Sequence, residues 1–203
     1  MSFNSNQNDY ANDISQRWFK QDSSNETIGD FPTLKVIQEP SKARCCGHGS
    51  TDFRTIDPPP IVTLESTSKS INHRCSDNDW MVTVSLWSLD KDQKPLCEDD
   101  CNLIGNRIAE SRSLEAPDGK IKTFFIFPNL YIRKEGLYRL WFRLIRISSP
   151  NRHNLLPSTV ILDSVYSDTL TVYSPKHFPG KSKPSVMMRM FAKQTHDLKA
   201  RNL

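Results

Sequence analysis

The sequence predicts an antiparallel all-β sandwich with one short helix near its C-terminal end. Three observations carry this reading. Seven or eight short apolar runs, bounded by Pro, Gly, Asn and Asp, fall within about 140 residues, the strand spacing of a sandwich. The two longest, over 80–87 and 137–147, alternate with the period of two that sends successive side chains to opposite faces. Proline, at 13, outnumbers glycine, at 7, which suits strands joined by stiff turns rather than glycine-rich linkers. A length of 203 residues fits one domain with tails.

Residues 1–30 are rich in Asn, Ser, Asp and Gln. Ile14, Trp18 and Phe19 offer too little apolar area to offset the entropy of ordering the segment. The expected organisation is a disordered polar tail over 1–30, a folded domain over 31–195 and a short tail over 196–203. In the domain, residues 34–37 read as the first strand. Residues 61–64 follow the triplet Pro58-Pro59-Pro60, whose missing N–H groups belong at a strand start or sheet edge. Over 80–87, Trp80, Val82, Val84 and Leu86 share one face. Residues 88–102 read as an acidic loop and 103–108 as a short strand. Pro117-Asp118-Gly119-Lys120 is a turn in which Gly119 is free to take positive φ. Residues 121–127 form an aromatic, buried strand, and Lys134-Glu135-Gly136 is the next turn. Over 137–147, Tyr138, Leu140, Phe142 and Leu144 point one way; Arg139, Trp141, Arg143 and Ile145 point the other. One face is therefore core and the other cationic. A polar loop over 148–158 leads to strands at 159–162 and 165–173. Pro184 is placed to open a helix, because proline suits the first helical position. Val186, Met187, Met190, Phe191 and Gln194 then follow at the 3/4 spacing of a face that packs on the sandwich.

The net charge of +4 conceals a division. Residues 1–34 carry five acidic and two basic side chains, a net of −3, and residues 57–118 carry twelve and six, a net of −6. Residues 120–152 carry eight basic side chains against Glu135, a net of +7, and residues 176–203 carry seven against Asp197, a net of +6. The second half attracts polyanions and the first repels them; solvated strand faces are the plainer alternative. No run approaches the roughly 18 apolar residues of a membrane span, and the first thirty residues lack an apolar signal core. A nuclear or cytosolic location is expected, with an odd set of five reduced cysteines.

Enzyme chemistry finds no foothold. There is no nucleophile elbow, glycine-rich phosphate loop or His-Glu-x-x-His pair. Asp99 and Asp100 read as solvated loop carboxylates. For zinc, Cys97 and Cys101 have a usable spacing, but Cys45, Cys46 and His48, or His73 and Cys75, do not repeat it. Small buried side chains and incidental loop thiols are the alternative, and neither metal nor cofactor is expected. The segment over 39–64 is the most informative. A strand leads into a loop with Gly47 and Gly49 and three cations, Lys42, Arg44 and Arg54, and prolines stiffen its exit. Such a loop can place guanidinium groups on phosphates or guanine edges. The competing reading is a structural loop in which Arg44 pairs with Asp52 or Asp57.

These residues carry a resemblance. The run EPSKARCCGHGSTDFRTIDPPPIV, from Glu39 to Val62, resembles the opening motif of the velvet domain of fungal regulators. VSLWSLD from Val84, PDGKIKTFFIFPNLYIRKEGLYRLWFRL from Pro117, VYSDTLTVYSPKHFPG from Val165 and MFAKQ from Met190 resemble the family's later segments, in order, so that the likeness spans about 33–195. The resemblance implies an immunoglobulin-like sandwich related to the Rel homology region. It implies a regulator that binds double-stranded DNA as a homo- or heterodimer with another velvet protein. Control of development, sporulation and secondary metabolism follows, in the nucleus or shuttling with the cytoplasm. A nuclear methyltransferase-like regulator is a further expected partner, and no membrane is involved.

Carried over by position, Arg54 matches a basic site before Ile56-Asp57-Pro58, and Arg44 matches the Ala-Arg of the motif. Lys42, His48, Lys181 and Lys183 complete the expected DNA-contacting set. Phe53 stands where the family usually has a second cation and Thr55 where proline is common, while Gly49, Ser50 and Thr51 carry no charge. That departure supports an alternative role, an adaptor that dimerises with little DNA contact of its own.

Overall fold

The computed structural model describes residues 32–47, 53–65, 80–90, 92–148, 158–195 and 198. The expected tail over 1–30 and the residues over 149–157 lie outside them, as does the expected tail over 196–203 apart from Leu198, which is buried in the same cluster as Phe124 and Phe191. In chain order the strands are β1 (Thr33–Gln38), β2 (Lys42–Arg44), β3 (Ile61–Glu65), β4 (Trp80–Leu89), β5 (Pro95–Glu98), β6 (Leu103–Gly105), β7 (Ile108–Glu110), β8 (Arg112–Glu115), β9 (Ile121–Ile126), β10 (Leu130–Ile132), β11 (Gly136–Ser148), β12 (Ser158–Tyr166) and β13 (Leu170–Tyr173). A 3₁₀ turn spans Asp100–Asn102, and a helix, α1, spans Val186–Gln194.

The fold is an all-β sandwich. One sheet has the order β1-β3-β9-β8. The other runs β2-β13-β11-β4-β5, with β12 also on β11 and β7 also on β4; β10 and β6 form a separate ribbon. Pairing is antiparallel except where β2 joins β13 in parallel. Between the sheets, Val82, Val84 and Leu86 from β4 and Leu140, Phe142 and Leu144 from β11 meet Val62, Phe125 and Phe127. The alternation read from β4 and β11 is the observed one, with Trp80 and Tyr138 buried on the same faces. The aromatic run of β9 serves two layers. Phe125 faces the sandwich, whereas Phe124 and Ile126 face outward onto α1, where Phe191 meets Phe124 with ring centroids 4.7 Å apart.

Several expectations are corrected. β2 falls where a loop was expected, because three residues show no periodicity and their partner strand lies far along the chain. The acidic stretch over 88–102 is not a plain loop but a hairpin followed by the 3₁₀ turn. Asp90 Oδ1 accepts the N–H groups of Asp92 and Lys94 at 2.9 and 2.8 Å and makes the hairpin turn. Nor are the paired carboxylates merely solvated. Asp100 accepts the Leu86 N–H at 2.9 Å and an Arg107 N–H at 2.8 Å, and Asp99 accepts the Asn102 amide at 2.8 Å. The strand expected over 103–108 breaks at Gly105, whose φ of +106° turns the chain from one sheet to another. β12 continues through 163–164, a bulge at Leu162 absorbs the irregularity, and the break comes at 167–169. The helix starts after Pro184, not on it. Ser185 is the N-cap and its hydroxyl accepts the Met188 N–H at 3.0 Å. Met188 is buried while Val186 is 65% exposed, so the apolar face is rotated from the expected stripe.

Candidate nucleic-acid interface

β2 alternates like any strand. Ala43 is fully buried, and Lys42 and Arg44 face outward. Beyond it, the N–H groups of Cys45, Cys46 and Gly47 donate to the carbonyls of Tyr173, Ile132 and Arg133 at 2.8, 3.0 and 2.9 Å. Gly47 sits at φ +65°, where glycine carries no steric penalty. On the return, the Ile56 N–H donates to Leu130 at 2.9 Å and the Asp57 N–H to Lys42 at 2.8 Å. The loop over 47–55 therefore leaves and re-enters through stems held on β2 and β10, which reduces the ordering cost of using it. Arg54 and Phe53 are exposed near the return stem, and the Phe53 ring meets Tyr131 edge-on at 5.5 Å. His48 and Asp52 lie outside the described residues.

The return stem also carries the C-terminal segment. Buried Asp57 accepts the Ser182 N–H at 2.6 Å through Oδ2, which lies 3.6 Å from Lys42 Nζ. Lys181 Nζ donates to Thr55 Oγ1 at 3.2 Å. Ser185 donates to Gln38, whose amide donates to the Pro59 carbonyl at 2.6 Å. Between the two segments lies a groove of about 260 Å³, walled by Thr55 and Pro59 on one side and by Lys181, Lys183 and Met188 on the other.

The structure thus gathers Arg54, Lys181 and Lys183 near Thr55, although the two lysines lie over 120 positions further along the chain. Arg44 is at the far end of β2, in register with Tyr173. The Lys42 ammonium is turned toward Asp57 and its side chain is only about a fifth exposed. That carboxylate, weighed as a partner for Arg44, is engaged by Lys42 and Ser182. Sequence reasoning missed Arg133, whose carbonyl holds Gly47 and whose charge reaches the Cys46 thiol. Its signal was the Tyr-Ile-Arg-Lys run of β10, legible only once the loop is known to rest there.

The four described cysteines have ordinary surroundings; His73 and Cys75 lie outside the described residues. Cys46 is buried and its Sγ–H donates to the Ile132 carbonyl at 3.4 Å. Burial pushes both the Cys45 and Cys46 thiols up. Cys97 lies 3.1 Å from the Ser88 hydroxyl, and Cys101 donates to Asp99 at 3.3 Å. Among the described residues, no three His, Cys, Asp or Glu side chains converge as metal ligands.

A family model described as Velvet factor matches residues 32–101 and 98–202, which takes in the whole sandwich, the loop and α1. The chain belongs to the velvet family. Its relatives include the sexual development regulator VELC of Pyricularia oryzae, 32% identical over 79% of this chain and 38% of VELC. Another is the developmental and secondary metabolism regulator VEA1 of Ajellomyces capsulatus, 31% identical over 79% of this chain and 33% of VEA1. The sexual development regulator umv3 of Mycosarcoma maydis is 28% identical over 85% of this chain and 46% of umv3. The chain spans less than half the length of these velvet relatives.

Proposed function

We propose that this velvet chain is a developmental regulator that binds double-stranded DNA. The observation that carries the reading is the loop held at both stems, with Arg54 at its exit and Lys181 and Lys183 beside it. In this reading Arg44, Arg54, Lys181 and Lys183 contact DNA. Lys42 positions the loop through Asp57, and His48 lies on the same loop. The names of the velvet relatives support control of sexual development, sporulation and secondary metabolism. The chain acts in the nucleus, shuttling with the cytoplasm, as a homo- or heterodimer with another velvet protein and with a methyltransferase-like regulator as a further partner. It works by binding, not by catalysis. No helix among the described residues is long and apolar enough to cross a membrane.

The test is selection of random duplex DNA by the purified chain at near-physiological salt. A motif is enriched, and Arg54→Ala loses it while the variant melts like the wild type. Each phosphate contact removed also lowers the salt slope by about one. Absence of any enriched motif from folded protein would refute direct reading. A second reading, the adaptor, is favoured by the engagement of Lys42 with Asp57 and by Phe53 at a customary cation site. It predicts a salt-tolerant protein complex with negligible DNA affinity.

A further inference from the structure

The outward face of the larger sheet holds an arrangement that the DNA reading does not use. Five buried side-chain polar atoms among the described residues have no hydrogen-bond partner: Thr83 Oγ1, Ser85 Oγ, Trp87 Nε1, Arg139 Nε and Arg143 Nε. All five belong to one patch. Thr83, Ser85 and Trp87 lie on β4 directly opposite Arg143, Trp141 and Arg139 on β11. Leaving such a group unpaired costs about 1–3 kcal/mol each, so a cluster of five calls for a missing partner.

The patch has the composition of a binding surface. Trp141 stacks on Tyr166 at 5.6 Å and 12°, Trp87 meets both rings edge-on, and the Arg143 guanidinium lies 4.8 Å from the Trp141 ring centre. Trp, Tyr and Arg are the residues that dominate interface energetics. Ile108 and Ile161, 58% and 49% exposed, flank the patch on β7 and β12. A cleft of about 550 Å³ opens beside it, lined by Thr83, Arg107, Ile108 and Arg143.

Charge on this face is sorted by strand. Arg139 and Arg143 stand on β11, whereas Glu98, opposite Trp87, and Glu110, opposite Met81, stand on the neighbouring β5 and β7, next to which Arg107 is paired with Asp100 at 2.8 Å. The Tyr166 hydroxyl feels both groups: Glu98 raises its pKa, and Arg143 and Arg139 lower it, with burial the largest effect. A polyanion such as DNA would meet the carboxylates as well as the arginines. A second copy of the same face meets neither conflict. With a two-fold axis running along β4, each copy's acidic edge lies over the other's β11, as an isologous contact requires. A carboxylate approaching an arginine side-on takes Nε–H and one terminal N–H together, which suits the two unpartnered Nε atoms. Turning Arg139, Arg143 and Trp87 to meet the partner is the scale of rotamer change usual at interfaces.

We infer that this chain self-associates through the outward face of β4 and β11, with Arg139 and Arg143 of one copy meeting Glu98 and Glu110 of the other around the Trp87–Trp141–Tyr166 cluster. This rests on the dimeric part of the proposed function and names its surface; the Arg54 loop takes no part in it.

The test is sedimentation of the full chain without DNA, from roughly 1 to 100 µM, the range that resolves micromolar dimers. The wild type and Arg54→Ala dimerise alike. The variants Arg139→Glu/Arg143→Glu and Glu98→Arg/Glu110→Arg each weaken the dimer by at least about tenfold, as expected of facing charge pairs. An equimolar mixture of the two variants restores it. Circular dichroism and melting check each fold. Glu98 and Glu110 are exposed, so their variant reports even if the arginine variant does not fold. A wild type that remains monomeric throughout, or that dimerises unchanged in the glutamate variant, overturns the inference. Loss of DNA binding without loss of the dimer would instead count against the Arg54 reading alone.

Discussion

The carboxylate of Asp57 accepts the backbone N–H of Ser182 at 2.6 Å, across 125 positions of sequence. This bond joins the exit of the basic loop to the segment that carries Lys181 and Lys183 and leads into α1. The same carboxylate faces Lys42, so one buried acid holds β2, the loop stem and the C-terminal segment together.

Asp57→Ala leaves Lys42 and the Ser182 N–H without their acceptor. A loss of about 3 kcal/mol in urea unfolding is expected, the scale for breaking a buried pair. Lys181→Ala, at an exposed position, changes stability by no more than about 0.5 kcal/mol while weakening DNA binding. Equal stability losses in the two variants would show that Asp57 is not the organising group.

Gly105 separates β6 from the turn into β7. Its φ is +106°, and a Cβ added there would lie 1.8 Å from the Asn129 carbonyl oxygen. Gly105→Ala therefore combines backbone strain with a backbone clash and costs more than about 1 kcal/mol. Gly119→Ala, where a Cβ meets nothing within 4 Å, bears the strain of φ +74° alone. Thermal melting of both variants should rank Gly105→Ala as the more damaging.

Tyr138 is 3% exposed, and burial, reinforced by the nearby Asp99 carboxylate, pushes its hydroxyl up to about 12 from 10. The folded chain therefore keeps a proton that the unfolded chain releases. The stabilisation is complete below pH 10 and is lost as pH rises toward 12. Between pH 9 and pH 11 the wild type should lose about 1.4 kcal/mol relative to Tyr138→Phe in urea unfolding. A constant difference between the two proteins would contradict this.

The long elements were readable because their patterns are local. Thirteen residues of β11 repeat the period of two often enough to be unambiguous, and its inward residues were the ones predicted. β2 was not readable, since its three residues acquire strand geometry only from β13. The helix start was misplaced by two residues: proline suits the first helical position, but the Ser185 hydroxyl caps the helix by accepting the Met188 N–H and makes Val186 its first residue.

The sequence by itself determined the sandwich class, the order of the long strands, the family and the basic character of the loop. Each is written in alternation, turn residues or contiguous motifs. Tertiary structure decided how far each cation is exposed. Lys42 and Arg54 look equivalent along the chain, yet folding half-buries the first beside the Asp57 carboxylate and places the second on the exposed surface. It also decided that Lys181 and Lys183 join the loop, and that β4 and β11 set tryptophans and arginines side by side. These outcomes depend on residues distant in sequence and adjacent in space, where hydrogen bonds and desolvation act and sequence spacing is silent.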